Sequence, residues 1–147
     1  MKVKNLHISV FSHETENLDK IQSSIESNIL SDFFPYVEKN ITEVTGHYGN
    51  RIKILEYKVL DKVANEVFFK ILNNLSLTDL IYLLSTLEDR FSKGKLYLRL
   101  DKQQLILNNI TLKDGDDVVK VTVSIIGGKQ ALSEKLKEIV NSRSLRT

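Results

Sequence analysis

Apolar and polar residues alternate one by one over three long stretches of this chain, and this pattern limits the fold more than any other feature. A period of two places every apolar side chain on the same face of a β-strand, so each stretch predicts a strand with one buried face. Two further segments flank a glycine-containing turn and predict a hairpin. The strands that we expect are residues 3–11, 41–45, 52–60, 95–103, 105–107 and 118–125.

Helical spacing of apolar residues predicts three helices between these strands and one after them. The expected capping residues are Ser12 or Thr15 for the first helix, Asp61 for the second, and Ser76 with Asp79 for the third, which Gly94 would end. The acidic residues 14 and 16 are attributed to the dipole of the first helix. Because strands and helices come in uneven groups, we predict a single α+β domain over residues 1–147, with a largely antiparallel sheet and helices packed on one face.

Composition excludes several classes of function. The 147 residues contain no cysteine, which removes thiolate catalysis, zinc fingers and disulfides and favours the cytoplasm. No apolar run is long enough to cross a bilayer, and the first residues show no signal-peptide pattern, so no membrane partner is expected. The net charge of +2 is too small to indicate a polyanion partner by itself, so a nucleic-acid role must depend on local clusters of cations.

A loop between the second and third expected strands concentrates aromatic and polar groups. Its residues are Gly46, His47, Tyr48, Gly49, Asn50 and Arg51. A hairpin turn alone would explain the glycines, because they accept positive φ. It does not require an imidazole, a phenol and a guanidinium side by side, and these groups can stack on bases or contact phosphate. We therefore predict that His47, Tyr48, Asn50 and Arg51 contact RNA, and that Gly46 and Gly49 shape the loop.

A second group of polar residues lies on the expected strand that ends near Gln103. Tyr97 and Arg99 alternate with leucines, and Lys102 and Gln103 follow. A solvated sheet face with Arg99 paired to Asp101 would explain this pattern. The functional interpretation is a basic strip with an aromatic residue, in which Arg99, Lys102 and Gln103 contact phosphate or hydroxyl groups of RNA. There the Asp101 carboxylate would orient Arg99 or Lys102.

Other clusters have simpler explanations than catalysis. Asp114, Asp116 and Asp117 suggest a magnesium site, but Asp114 begins an Asp-Gly turn signal, and adjacent strand residues point to opposite faces. The three histidines lack metal-ligand spacing, and no nucleotide-binding glycine motif or nucleophile elbow is present. We therefore expect no enzymatic activity, no metal and no cofactor. A metal-dependent nuclease that uses the three aspartates is kept as an alternative class.

The order of these segments resembles an archaeal RNA-binding family described as predicted exosome subunits. The most specific blocks are residues 46–50 (GHYGN) and 98–103 (LRLDKQ), and the resemblance covers about residues 3–126. It implies a fold similar to the ribosomal protein that holds 5S ribosomal RNA, with a curved antiparallel sheet and helices against it. Arg51 stands where the family usually has proline, and residues 104–109 also depart from the family pattern. The C-terminal helical segment and basic tail, residues 129–147, lie outside it.

These observations predict a non-catalytic RNA-binding protein of archaeal type that binds structured RNA. The resemblance implies work beside the exosome or in ribosome-related RNA metabolism, with protein partners in an RNA-processing complex. The hypothesis requires the loop at residues 46–51 and the basic segment at 95–103 to lie side by side. The alternative is a protein-interaction subunit without direct RNA contact, in which the same strip docks an acidic partner. Residues 143–147 are expected to form a frayed, solvated end.

Overall fold

The computed structural model describes residues 1–145 as one six-stranded sheet with helices packed on it. The strands are β1 (Lys2–His13), β2 (Glu38–Thr45), β3 (Arg51–Leu60), β4 (Phe91–Ser92), β5 (Lys95–Leu100) and β6 (Val119–Ile126). Their order across the sheet is β2-β3-β1-β6-β5-β4, and every neighbouring pair is antiparallel. The predicted α+β class is confirmed.

Six helices accompany the sheet in the described part of the chain. They are α1 (Leu18–Ile25), α2 (Asp61–Asn74), α3 (Leu77–Ser85), α4 (Leu87–Arg90), α5 (Lys102–Ile106) and α6 (Gly128–Ser144). A π-helical turn (Glu26–Leu30) and a 3-10 segment (Ser31–Tyr36) continue α1 towards β2. No single helix within residues 1–145 is long and apolar enough to span a membrane. Helices α2 and α3 reach the required length and apolarity only if they are counted as one segment, and the chain bends by 114° between them.

The alternation along the strands separates two faces of the sheet. On one face Ile8 of β1 aligns with Tyr57 of β3 and Val121 of β6, and Val121 aligns with Leu98 of β5. These four side chains are at most 1% exposed and belong to the cluster that also contains the apolar residues of the helices. We call the opposite side the open face. Its side chains are mostly polar and half-buried or exposed, so this side is available to a partner.

The first helix begins later than predicted. Neither Ser12 nor Thr15 caps it; the N-cap is Asn17, whose side chain accepts a backbone N–H of the first turn at 3.2 Å. Ser12 belongs to β1, which runs to His13. The two glutamates at 14 and 16 therefore precede the helix, and its dipole does not explain them. The Glu16 carboxylate accepts the backbone N–H of His13 at 3.0 Å instead.

Two further caps also differ from prediction. Asp61 begins α2 but makes no capping hydrogen bond with its side chain. Gly94 adopts the left-handed conformation (φ 78°), but together with Lys93 (φ 53°) it forms the tight turn between β4 and β5 and ends no helix. Ser76 does cap α3, because its hydroxyl accepts the N–H of Asp79 at 3.0 Å.

The segment at residues 105–107 is not a strand. β5 ends at Leu100, and the Asp101 side chain accepts the N–H of Gln104 at 3.0 Å, which begins α5. A helix here turns Leu105 into the core, where it is 1% exposed. The local sequence suits a strand or a helix, and the N-cap bond together with the burial of Leu105 selects the helix.

The C-terminal helix is held to the domain at a residue that we expected to be frayed. The Arg143 guanidinium donates to the backbone carbonyl of Leu72 at 3.2 Å, and it also donates to the carbonyls of Asn73 and Leu75. These carbonyls lie at the C-terminal end of α2, where helical partners run out. The last two residues of the predicted basic tail, 146 and 147, lie outside the described residues.

Candidate nucleic-acid interface

The open face brings together polar side chains from strands that are distant in sequence. Two of its rows, read across β1, β6 and β5, are Ser9-Lys120-Arg99 and His7-Thr122-Tyr97. Neighbouring strands in a sheet are about 4.8 Å apart, so the members of one row can contact the same ligand. The face therefore offers cations, hydroxyl groups, an imidazole and a phenol within one small area.

Two cations lie next to each other on this face without a carboxylate between them. Lys120 and Arg99 are directly opposite each other in the β5–β6 pair, an arrangement in which Cβ atoms are about 5 Å apart and like charges repel. Within residues 1–145, neither side chain forms an ion pair. The Lys120 ammonium instead lies 5.8 Å from the centre of the Phe11 ring. A bound anion would relieve this repulsion, so the pair is suited to phosphate.

A groove of about 780 Å³ continues the open face towards the opposite end of the strands. The charged residues that line it are Lys4, Lys58, Lys93, Lys95 and Glu56. The four lysines make no ion pair among residues 1–145. The single carboxylate, Glu56, is 3.1 Å from Nε2 of His7. Neutral residues complete the lining: the hydroxyls of Thr122 and Ser124 offer hydrogen bonds, and Ile125 and Ile126 add an apolar part, so the groove is basic with both polar and apolar contacts.

The predicted contact loop forms a tight turn at the tip of the β2–β3 hairpin. Gly46 donates its N–H to the carbonyl of Asn50 at 2.6 Å, and Gly49, with φ 80°, donates to the carbonyl of Gly46 at 3.0 Å. A Cβ atom on Gly46 would lie 2.4 Å from Oδ1 of Asn50, too close for any other residue without rearrangement. Tyr48 is 92% exposed, and its ring packs edge-on against His47 with centroids 5.0 Å apart.

The loop and the basic strand do not lie side by side, so that prediction is wrong. β1 and β6 separate β3 from β5 in the sheet, which puts the two strands about 14 Å apart. Alternation places Arg51 on the same side of β3 as the buried Leu55, whereas Arg99 lies on the open face. The Arg51 guanidinium is 3.6 Å from a carboxylate oxygen of Glu43. The two groups therefore cannot form one continuous patch.

Lys102 lies inside the protein and does not face solvent. It is 3% exposed, and its ammonium donates to the carbonyl of Phe11 (2.8 Å), to both oxygens of Glu16 (3.1 and 3.2 Å) and to Asp117 (2.6 Å). Chiefly because of the Lys102 bond, the pKa of Asp117 is lowered from its ordinary value. Lys102 thus joins the end of β1 to the segment before β6, and its charge is not available to phosphate.

The same cluster has the ligand types of a metal site. His13, Glu16 and Asp117 each place one ligand atom within 4.8 Å of the others. The ammonium of Lys102 already binds both carboxylates, so it supplies the positive charge that a metal ion would bring. Glu16 therefore serves a structural ion cluster, whereas the Glu14 carboxylate accepts the backbone N–H of Arg51 at 3.4 Å.

The remaining predicted residues have separate surroundings. Asp101 caps α5, so it does not orient Arg99 or Lys102. Gln103 lies on α5 with an exposed side chain. The sequence prediction placed it on the strand, but the chain leaves the sheet at residue 101, and Gln103 is not part of the open face.

Comparisons with known proteins show the family of this chain. A family model described as RNA binding matches residues 5–125. The chain belongs to this RNA-binding family. It is 30% identical over 142 residues to the uncharacterized protein MJ0213 of Methanocaldococcus jannaschii, with 94% of this chain and 95% of that protein covered. It is 27% identical over 128 residues to the RNA-binding protein PAB1135 of Pyrococcus abyssi, covering 85% and 83%.

A solved structure agrees in fold with this member of the RNA-binding family. The crystal structure of protein SSO0741 from Sulfolobus solfataricus matches with a TM-score of 0.86 and 41% identity, covering 95% of this chain and 98% of that one. The relatives are archaeal, as the resemblance predicted, and the family is described by RNA binding and not by a reaction.

Sequence reasoning missed much of the open face of this family member. Lys58 and Lys120 were not selected, nor were the polar residues His7, Thr122 and Ser124. A signal for four of them was present, because they occupy the polar positions of the two alternating strands that became β1 and β6. These residues form one surface only because β6 pairs with both β1 and β5, and the alternation along a strand does not specify which strands pair.

Proposed function

We propose that this protein is a non-catalytic RNA-binding protein whose main contact surface is the open face of its sheet. The single observation that carries the proposal is the groove with four lysines free of ion pairs and one glutamate. Ammonium groups held apart from carboxylates are free to neutralise phosphates, the dominant source of affinity for nucleic acids. Membership of the RNA-binding family supports RNA as the polyanion.

Other groups on the face suit RNA in particular. Phe11 and Tyr97 are 42% and 45% exposed, so part of each ring is available to an unstacked base. The hydroxyls of Thr122 and Ser124 are able to bond the 2′-hydroxyl groups that distinguish RNA from DNA. Lys120 and Arg99, next to each other, provide a second phosphate site beyond the groove.

The hairpin loop is proposed as a separate contact. His47, Tyr48 and Asn50 lie at its tip, with Arg51 behind them, and the tip lies away from the groove along the sheet. An RNA that contacts both Arg99 on β5 and this tip must extend across at least about 14 Å of the sheet. Gln103, exposed on α5, would contact only an RNA that passes beyond the sheet edge.

The cellular role is proposed from the sequence resemblance. We place the protein in the cytoplasm, beside the archaeal exosome or in ribosome-related RNA metabolism, with protein partners in an RNA-processing complex. A fold similar to that of the 5S-rRNA-binding ribosomal protein belongs to the same proposal. Copurification of exosome or ribosomal components with the tagged protein is the expected result.

The test of RNA binding is a filter-binding titration with a structured RNA at two salt concentrations. The double variant Lys58→Ala/Lys95→Ala removes two groove cations, so we expect weaker binding and a log–log salt slope smaller by about 1.5 to 2. The matched control is Lys137→Ala, an exposed lysine of α6 away from the sheet face. Equal affinity and slope for the double variant and the control would refute the proposed surface.

A protein-docking role has one observation in its favour. β2 is an edge strand that pairs only with β3, and its side chains Ile41 and Val44 are 44% and 42% exposed. A free strand edge of this kind can accept a strand of another protein. Under this alternative the purified protein would bind no RNA, and a partner complex would persist at high salt.

A further inference from the structure

A small pocket lies at the margin of the open face, where the sheet ends. β4 contains only two residues, so side chains of α3 and α4 reach the rim beside β5. The pocket has a volume of about 250 Å³, and Tyr82, Arg90, Tyr97, Arg99 and Asp114 are among its lining residues. Tyr97 and Arg99 also belong to the open face, so the pocket is continuous with the proposed RNA surface.

The wall formed by Tyr82 is held in place before any ligand binds. The Tyr82 hydroxyl donates to Asp114 at 2.8 Å, and Arg90 donates to the other oxygen of Asp114 at 3.1 Å. The Arg90 guanidinium lies 5.2 Å from the centre of the Tyr82 ring, and its Nε donates to the hydroxyl of Thr86 at 2.8 Å. An aromatic ring fixed in this way loses little conformational entropy when a base stacks on it.

Two further charged residues, Arg99 and Asp89, line the pocket. The pKa of Asp114 is lowered mainly by its hydrogen bonds from Tyr82 and Arg90, and the charge of Arg99 adds to this effect. Arg99 forms no ion pair, and the Asp89 carboxylate has no hydrogen-bond or ion-pair partner among residues 1–145. Tyr97 adds a second, half-exposed aromatic ring. The pocket therefore combines two rings, a guanidinium without an ion pair and a carboxylate without a hydrogen-bond partner among the described residues, which are the groups that bind one nucleotide through base, phosphate and base edge.

We propose that this pocket, defined by Tyr82, Tyr97, Arg99 and Asp89, binds one unpaired guanine nucleotide of the RNA. The base stacks on the tyrosine rings, and Arg99 contacts an adjacent phosphate. The Asp89 carboxylate accepts from the base edge. Guanine fits this acceptor because its Watson–Crick edge presents two adjacent donors, N1–H and the N2 amino group, whereas the other bases present one donor group beside acceptors. The inference rests on the proposed RNA binding and adds the site of base recognition.

The test compares three RNA hairpins that differ only at the 3′ end: blunt, with one unpaired guanosine, and with one unpaired uridine. We expect the guanosine hairpin to bind roughly tenfold or more tightly than the blunt hairpin, because stacking of one base contributes about this much. Tyr97→Ala should abolish that difference and leave the salt slope unchanged. Arg99→Ala should reduce the slope by about one unit.

Two further variants make the test specific. Asp89→Asn should remove the preference for guanosine over uridine, because the amide offers one acceptor in place of two. Tyr36→Ala is the control, since Tyr36 is 69% exposed and lies outside the pocket, and it should change nothing. Tyr97→Ala is preferred to Tyr82→Ala because Tyr82 also holds Asp114.

The outcomes separate this inference from the proposed function. Equal binding of the three hairpins, or an equal loss for all three in Tyr97→Ala, would overturn the guanine pocket and leave RNA binding intact. Absence of binding to every hairpin and to longer structured RNA would refute both. A preference for uridine that Asp89→Asn does not change would also refute the assignment of guanine.

Discussion

Replacing Lys102 by methionine tests whether its buried ammonium holds the end of β1 to the segment before β6. The substitution keeps most of the side-chain volume but removes the donor to Phe11 and Glu16. The Glu16 side chain is only 19% exposed and would lose its cation, although it keeps the bond from the backbone N–H of His13. The Asp117 side chain is 67% exposed and remains hydrated, so the loss of its bond to Lys102 adds little to the expected destabilisation.

The magnitude follows from the burial of the groups left behind. Breaking a fully buried ion pair costs about 3–5 kcal/mol, and a hydrogen bond to a charged group contributes about 1.5–3 kcal/mol. Because Glu16 is partly hydrated and keeps one bond, we expect a loss of about 3 kcal/mol in the free energy of unfolding for Lys102→Met. With a urea m-value of roughly 2 kcal/mol/M, the midpoint should fall by about 1.5 M.

The assay is urea unfolding at pH 7, followed by circular dichroism. The control is Lys113→Met, an exposed lysine whose charge also acts on Asp117, and it should change stability by less than about 0.5 kcal/mol. A midpoint for Lys102→Met within about 0.3 M of the control, at unchanged m-value, would refute the structural role of the ammonium.

The same pair predicts a pH dependence with a definite sign. The hydrogen bond from Lys102 lowers the pKa of Asp117 below its ordinary value of 3.8. A carboxyl whose pKa is lower in the folded state stabilises the fold above its unfolded pKa, and this stabilisation is lost as the pH falls through the folded pKa. The stability gap between wild type and Lys102→Met should therefore narrow below about pH 4, and a gap that widens there would contradict the assignment.

Three other substitutions test local features of the structure. Arg143→Met removes the donor to the carbonyl of Leu72 and its neighbours, so we expect a loss of about 1–2 kcal/mol, seen as a melting temperature lower by roughly 3–6 °C. Gly49→Val forces a β-branched residue to φ 80° and should cost about 1–2 kcal/mol in calorimetry, whereas Gly49→Asn should be tolerated. Asp101→Ala removes the N-cap of α5 and should cost about 1 kcal/mol, with faster hydrogen exchange at the Gln104 amide; unchanged exchange there would contradict the capping role.

The long alternating segments could be read from the sequence because the signal is local. Along β5 and β6, and along β1 from Leu6 to Val10, every second residue is apolar, and these are residues that the structure buries. A register shift between Val3 and Asn5 interrupts the pattern at the start of β1. Short segments behaved differently. Residues 105–107 suit a strand or a helix equally well, and the N-cap bond that the Asp101 carboxylate accepts from the Gln104 N–H selects the helix. Gly94 was correctly expected to be left-handed, but the same conformation serves a helix end and a hairpin turn.

The candidate site was less predictable, because its residues lie on strands far apart in sequence and become neighbours only through the order of the strands in the sheet. Composition and periodicity by themselves determined an α+β domain with an antiparallel sheet and a polar outer face. Only the tertiary structure placed β6 between β1 and β5, which sets Lys120 beside Arg99, and only the tertiary structure enclosed Lys102 between carboxylates. The physical reason is that a repeating pattern specifies which way a side chain points along its own strand. Hydrogen bonding between strands far apart in sequence decides which charges become neighbours.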